Sequence, residues 1–269
     1  MYSVTYGGVF VAVGAQGAIY TSVDGITWIP SANPVPGVDL YAVAYNDGVY
    51  LAVGARGLIL TSRDTLGWTQ QFSETNSDLY AISGRGTSGY AVVGANGTVL
   101  ISPDFVQWSN YPSGTTSALY GVTYSTNLNI FVAVGAAGTV ITSPDGGTWT
   151  PYYLPQYDLK SVTSAAGGIV AVGAQGALVT SPDALTWTLQ SPISSTLLNA
   201  ITYGHQYIAV DNFGSIFTSP DALNWQQVAF QTTPFPLYSV IPAQYVAGQF
   251  IGEYVYSAVG AGGTNLIAQ

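Results

Sequence analysis

Acidic side chains are the commonest chemistry-bearing groups in this chain. Thirteen Asp+Glu stand against 4 Lys+Arg, 1 His and no Cys in 269 residues, a net charge of −9. Cleaving a glycosidic bond needs two carboxylates converging within several ångströms. Six of the acids share one repeated context described below, which leaves Asp39, Asp47, Glu74, Asp78, Asp158, Asp211 and Glu253. Asp39, Asp78 and Asp158 recur just ahead of equivalent strands. Should they converge, carboxylates and carbonyls suit Ca²⁺ better than they suit catalysis; capping a turn before a strand is the simpler reading. No other metal and no cofactor is expected. His205, in Tyr203-Gly204-His205-Gln206-Tyr207, has no partner in sequence that would make it a general base and reads as a turn residue. The Gly-x-x-Gly pairs (Gly14–Gly17, Gly54–Gly57, Gly94–Gly97, Gly135–Gly138, Gly173–Gly176) would cradle phosphate only if they opened helices. They open strands, so they are turn glycines. Without cysteine there are no disulfides and no thiolate sites.

Partners are bounded in the same way. With 4 cations in the chain, a groove that tracks nucleic-acid phosphates is excluded. Glycine and polar residues interrupt every apolar run before the roughly 18 residues a spanning helix needs, so no membrane insertion is expected. No basic stretch precedes an apolar one at the N-terminus, so no signal peptide is read.

The elements that position these residues repeat. Trp28, Trp68, Trp108, Trp149, Trp187 and Trp225 lie 40, 40, 41, 38 and 38 residues apart. Four residues before each stands Asp24, Asp64, Asp104, Asp145, Asp183 or Asp221, and two before that a Ser, giving six copies of Ser-x-Asp-x-x-x-Trp. A second column, Val4, Val43, Ile82, Val122, Val162, Ile201 and Val240, has seven members. Each follows a small residue: Ser3, Ala42, Ala81, Gly121, Ser161, Ala200 or Ser239. Before that small residue stands Tyr in five of seven copies, with Lys160 and Asn199 as the exceptions. Seven columns against six boxes predict a shortened last unit.

Each unit reads as four short strands rich in Val, Ile, Tyr and Thr, separated by turn residues. The second strand is apolar on both faces, which a sheet covered on both sides requires. The fold class expected is all-β: a seven-bladed β-propeller of four-stranded antiparallel blades, the last three-stranded, with six blades as the alternative. The single domain 1–269 divides into units at about 1–38, 39–77, 78–117, 118–157, 158–197, 198–236 and 237–269.

The Ser-x-Asp…Trp turn resembles the Asp-box (BNR-like) repeat of sialidases, sortilin-type receptors and photosystem II assembly propellers, although it is one residue shorter. Ser143-Pro144-Asp145-Gly146-Gly147-Thr148-Trp149 is among the copies nearest to that pattern. The wording Val-Ala-Val-Gly-x-x-Gly before the box is also similar to propeller repeats of phage virion or tail proteins and of bacterial exported proteins. The resemblance covers nearly the whole chain and implies architecture more than activity. Sialidase chemistry would need three arginines clamping one carboxylate. The only arginines, Arg56, Arg63 and Arg85, fall in turns on different faces, so that activity is not expected. The box Asp and Trp residues are read as structural: a short carboxylate accepts N–H bonds of its own turn, and the indole packs on the blade.

Strand alternation sorts the loops onto two faces. We call upper the face holding the turns between second and third strands and the connections from one unit to the next. The lower face holds the turns between first and second strands and the boxes. The upper connections (29–39, 69–78, 109–118, 150–158, 188–198 and 226–236) vary most and carry Phe72, Tyr111, Tyr152, Tyr153, Tyr157, Phe230 and Phe235. Beside them the turn tips vary as Gln16, Arg56, Asn96, Ala137, Gln175 and Phe213. Constant walls with varied tips are how a scaffold carries recognition. The expected binding residues are Tyr152, Tyr153, Tyr157, Gln175, Arg56, Gln16 and Phe213, centred on Pro151–Tyr157. The function expected is therefore not that of an enzyme. It is a binding or structural propeller, a virion-associated or extracellular attachment or decoration protein that recognises a glycan or a protein surface, other virion proteins included. The alternative is an exported assembly factor of the photosystem II type.

Overall fold

The computed structural model describes residues 1–84, 89–154, 157–165, 167–228, 234–243 and 255–268. Among them all regular structure is antiparallel sheet plus one-turn 3-10 segments such as Ala15–Gly17. The fold is a β-propeller. Six sheets have four strands, each ordered in sequence from the axis outward. In the second of these the strands are Leu40–Asn46, Val49–Gly54, Ile59–Ser62 and Thr69–Gln71. These six are complete blades, the count given above as the alternative. Residues 237–268 add a sheet of three strands, Leu237–Ala243, Val255–Gly260 and Asn265–Ala268, which stands between the sixth blade and the first.

The core lies between blades. Alternate residues of each second strand serve opposite neighbours: Val11 and Val13 pack with the second blade, Phe10 and Ala12 with the three-stranded sheet. Likewise Tyr50 and Ala52 face the first blade while Val49, Leu51 and Val53 face the third. Burying a side chain such as Leu51 contributes about 1.5–3 kcal/mol, and the pattern recurs in every blade. Each box Trp closes such a cluster against the preceding blade, as Trp68 does with Val11, Val13 and Ile19.

Close approach explains the small column of the innermost strands. A Cβ on Gly121 would lie 3.1 Å from the Cα of Ser161 in the next blade. The serines of that column tie strand to strand: Ser3 Oγ accepts from Val43 N at 3.1 Å, and Ser161 Oγ from Ile201 N at 3.2 Å. Ser239 Oγ accepts from Val4 N at 3.4 Å, which joins the last sheet to the first blade.

One irregularity recurs at the upper end of these strands. Leu40 pairs with Gly54 and Ala42 with Val53, leaving Tyr41 as an extra residue. The same shift falls at Tyr80, Tyr120, Lys160, Asn199 and Tyr238. A bulge bends its strand and re-aims the extra side chain.

Candidate functional site

The boxes of the lower face consume their own polar groups. In the first, Asp24 Oδ1 accepts from Ile26 N and Thr27 N at 2.8 Å and from Ser22 Oγ at 2.9 Å. Ser22 Oγ accepts from Gly25 N at 2.8 Å, and Trp28 Nε1 donates to Gly25 O at 3.0 Å. The carboxylate pattern repeats at Asp64, Asp104, Asp145, Asp183 and Asp221. These bonds favour the ionised form. The N–H groups of Thr27 and Ile26 hold Asp24 down at about 2, and those of Thr186 and Leu185 do the same for Asp183. The indoles of Trp108, Trp149 and Trp225 donate as that of Trp28 does, whereas the buried Nε1 atoms of Trp68 and Trp187 have no partner.

On the upper face the tips are exposed and held in a left-handed conformation. Gln16, Arg56, Asn96, Ala137 and Gln175 have φ of 55°, 57°, 57°, 53° and 56°. The glycine that follows is required: at Gly57, with φ +71, a Cβ would lie 2.1 Å from Thr75 O. Non-glycine residues in this region cost about 1–2 kcal/mol each. Three tips are secured by carboxylates from the following unit: Gln16 N donates to Asp39 at 2.7 Å, Arg56 N to Asp78 and Ala137 N to Asp158 at 2.9 Å. Asp39, Asp78 and Asp158, the candidates for Ca²⁺, are thus each spent on a different turn. Among the described residues no three acidic or histidine side chains gather as a metal site. In the sixth blade Asp211 replaces the turn glycine. Buried, it accepts from Phe213 N at 2.9 Å and Ser215 N at 2.8 Å, and so presents the exposed Phe213.

The bulged residues, with Tyr2 at the equivalent place ahead of the first strand, line the axis. Ring centroids step from Tyr238 to Tyr2 (5.9 Å), Tyr2 to Tyr41 (6.0 Å), Tyr41 to Tyr80 (5.5 Å) and Tyr80 to Tyr120 (5.7 Å). Lys160 Nζ then lies 3.4 Å from the centroid of Tyr120. Asn199 Nδ2 donates to Leu237 O at 2.7 Å, which joins the sixth blade to the last sheet. All seven side chains are half-buried. Burial, and then the carboxylates behind them, raise the phenols of Tyr2, Tyr41, Tyr80 and Tyr120 above their ordinary range. Burial lowers the Lys160 ammonium, opposed by Asp158, whose Oδ2 is 4.0 Å away. In the sequence this tyrosine column marks only the inner strand. Its readable signal was a large polar aromatic placed beside residues kept small by crowding.

The expected periphery is divided. Tyr152, opposite Val140 in its strand, packs into the core between the fourth and fifth blades with Leu154 and Trp187, so it supports the site from beneath. Tyr153 is 57% exposed and lines a recess of about 590 Å³ with Tyr111, Asn96, Asn110 and Thr116. Tyr157 is half-buried beside Trp187 and Leu189. Pro155 and Gln156 of that loop, with Phe230, Arg85 and Glu253, lie outside the described residues. Arg56 sits at an upper tip and Arg63 in a lower box turn, so these two do not meet. His205 is exposed in a turn of the sixth blade. No helix among the described residues is long and apolar enough to cross a membrane.

No family model matches the chain, and no curated protein does. Solved structures do match. YCF48 from Cyanidioschyzon merolae has a TM-score of 0.74 at 16% identity, over 99% of this chain and 94% of its own. YCF48 bound to D1 peptide has a TM-score of 0.74 at 18% identity, over 96% and 87%. A streptogramin B lyase has a TM-score of 0.79 at 14% identity, over 99% and 89%. At these identities the likeness shows the propeller fold alone. It does correct one expectation. A lyase shares this fold along nearly the whole length, so the expectation that the chain is not an enzyme does not stand on its architecture.

Proposed function

We propose that the chain is a recognition propeller whose upper face binds a segment of another protein, with the axial arc of tyrosines as its centre. The observation that carries this is the run of five tyrosines in ring contact, ending on Lys160. Half-buried phenols offer large, rigid contact area with a polar tip, and the lysine at one end gives the arc a direction. Around it Gln16, Arg56, Gln175 and Phe213 at the tips, and Tyr153 and Tyr157 further out, form the rim. The likeness to YCF48, a propeller solved with a bound peptide, supports a polypeptide as the ligand. In this reading the three-stranded sheet counts as a seventh blade, because Tyr238 completes the arc. Low charge and the lack of cysteine favour a virion or extracellular setting.

A second reading has its own observation: the Tyr111–Tyr153 recess is lined by uncharged polar groups and two aromatic rings, which suits a glycan. The deciding experiment probes one printed array of overlapping peptides and glycans with the wild-type chain and a Tyr41→Ser/Tyr80→Ser variant. Peptide binding lost in the variant at unchanged Tm is expected. Peptide binding that survives, or binding to glycans alone, rejects the reading.

A further inference from the structure

Carboxylates stand beside the rings of the axial arc and recur with the repeat. Beyond the larger effect of burial, Asp39 bears on the phenols of Tyr2 and Tyr41, and Asp78 on those of Tyr41 and Tyr80. Asp158 bears in the same way on Tyr120 and Lys160. Each of the three has its Oδ1 held by the N–H of a tip in the preceding unit. Only at the third place does the chain supply a countercharge: Lys160 Nζ lies 4.0 Å from Asp158 Oδ2 and 3.4 Å from the Tyr120 centroid. At the two equivalent places the position of Lys160 is taken by Tyr41 and Tyr80, and neither Asp39 nor Asp78 has an ion pair among the described residues. Arg56, whose main chain Asp78 caps, is exposed at its tip and makes no such pair either. Three half-buried rings, Tyr2, Tyr41 and Tyr80, with successive centroids 6.0 and 5.5 Å apart, thus accompany two carboxylates that no cation neutralises.

We propose that the Tyr2–Tyr41–Tyr80 stretch seats a cationic side chain of the bound segment, arginine in preference to lysine. The inference rests on the upper-face reading and names the residue that the ligand must carry. A cation over a tyrosine face is held by the ring quadrupole, and Lys160 on Tyr120 is that arrangement made from within the chain. A guanidinium is planar, is weakly hydrated, and stacks on a ring while donating to a carboxylate. The Oδ2 atoms of Asp39 and Asp78 are the acceptors left once the tips take Oδ1. Half-burial screens such a contact less than an open surface does. The net charge of −9 favours a basic segment at longer range.

The probes are acetylated, amidated peptides Gly-Ser-X-Ser-Gly, with X as arginine, lysine, citrulline or glutamate, titrated into the full chain carrying ring-labelled tyrosine. The arginine probe is expected to bind saturably and to shift the NMR signals of Tyr41 and Tyr80. The lysine probe should follow more weakly. Citrulline keeps the shape and loses the charge, so it should bind about tenfold or more below arginine, and glutamate should not bind. Asp39→Asn/Asp78→Asn leaves an acceptor oxygen for each tip and removes both charges. It should weaken the arginine probe about tenfold at unchanged Tm and leave the citrulline probe as it was. Tyr41→Phe/Tyr80→Phe should retain binding, whereas Tyr41→Leu/Tyr80→Leu should lose it. Citrulline or glutamate bound as tightly as arginine, with the same shifts, overturns the inference and leaves the upper-face reading standing. Arginine binding that ignores the loss of both carboxylates, or that shifts Tyr153 in place of Tyr41 and Tyr80, does so too. If none of these probes binds, there is no cation seat, whatever the longer peptides of the array do.

Discussion

The ammonium of Lys160 sits over the face of Tyr120, 3.4 Å from the ring centroid, on the neighbouring inner strand. It replaces the aromatic contact that joins the other adjacent bulges of the arc. A double-mutant cycle of Lys160→Met and Tyr120→Leu should give a coupling of about 0.5–1 kcal/mol in urea unfolding, the size of a partly solvated cation–π pair. Additive effects would show that the two only lie side by side.

Trp149→Ala should cost about 3–5 kcal/mol, since it empties a buried site between the third and fourth blades. Asp145→Ala should lower Tm by removing the acceptor of two turn N–H groups at 2.8 Å. Thermal unfolding and array binding of the same samples check both. Loss of binding by either variant at wild-type Tm would make the box a recognition site.

Tyr152 and Tyr153 should separate cleanly. Tyr152→Ala is expected to destabilise by about 2–3 kcal/mol, because its ring is part of the inter-blade core. Tyr153→Ala should leave Tm within a degree or so and alter only ligand binding. If Tyr153→Ala destabilises as much as Tyr152→Ala, the recess is a structural feature and not a binding one.

Stability should fall at both ends of the pH range. The box carboxylates have folded-state values below their ordinary 3.8, with Asp24 and Asp183 at about 2. Their contribution is therefore complete above about pH 4 and is lost as pH falls toward 2. The raised phenols of Tyr2, Tyr41, Tyr80 and Tyr120 act in the opposite sense. Their contribution is complete below about pH 10 and is lost as pH rises beyond it. A Tm profile from acid to alkali, with the tyrosine absorbance titration alongside, tests both. A Tm that stays level between pH 4 and 2 would contradict the first half.

Period, strand order and turn chemistry were legible in the sequence because each is written six or seven times. Val11 and Trp68 could be assigned to a sheet covered on both sides from their neighbours in the chain alone. The candidate site was less legible for three physical reasons. Tyr41 and its equivalents acquire their role from a bulge, and a one-residue register shift leaves no mark beyond the Leu-Tyr-small pattern. Tyr152 turns inward because it lies opposite Val140, a pairing that its own loop does not encode. Asp39, Asp78 and Asp158 cap tips more than 20 residues away, so their partners belong to the preceding repeat.

Since every second strand divides its side chains between two neighbours, no blade is a self-sufficient folding unit. Val11 and Val13 have no core without Leu40 and Ala52, and Phe10 and Ala12 have none without Val259. The molecule should therefore melt as a single cooperative ring, with calorimetric and van't Hoff enthalpies equal. A chain cut back to its first repeat should be no weaker version of the whole but an unfolded one.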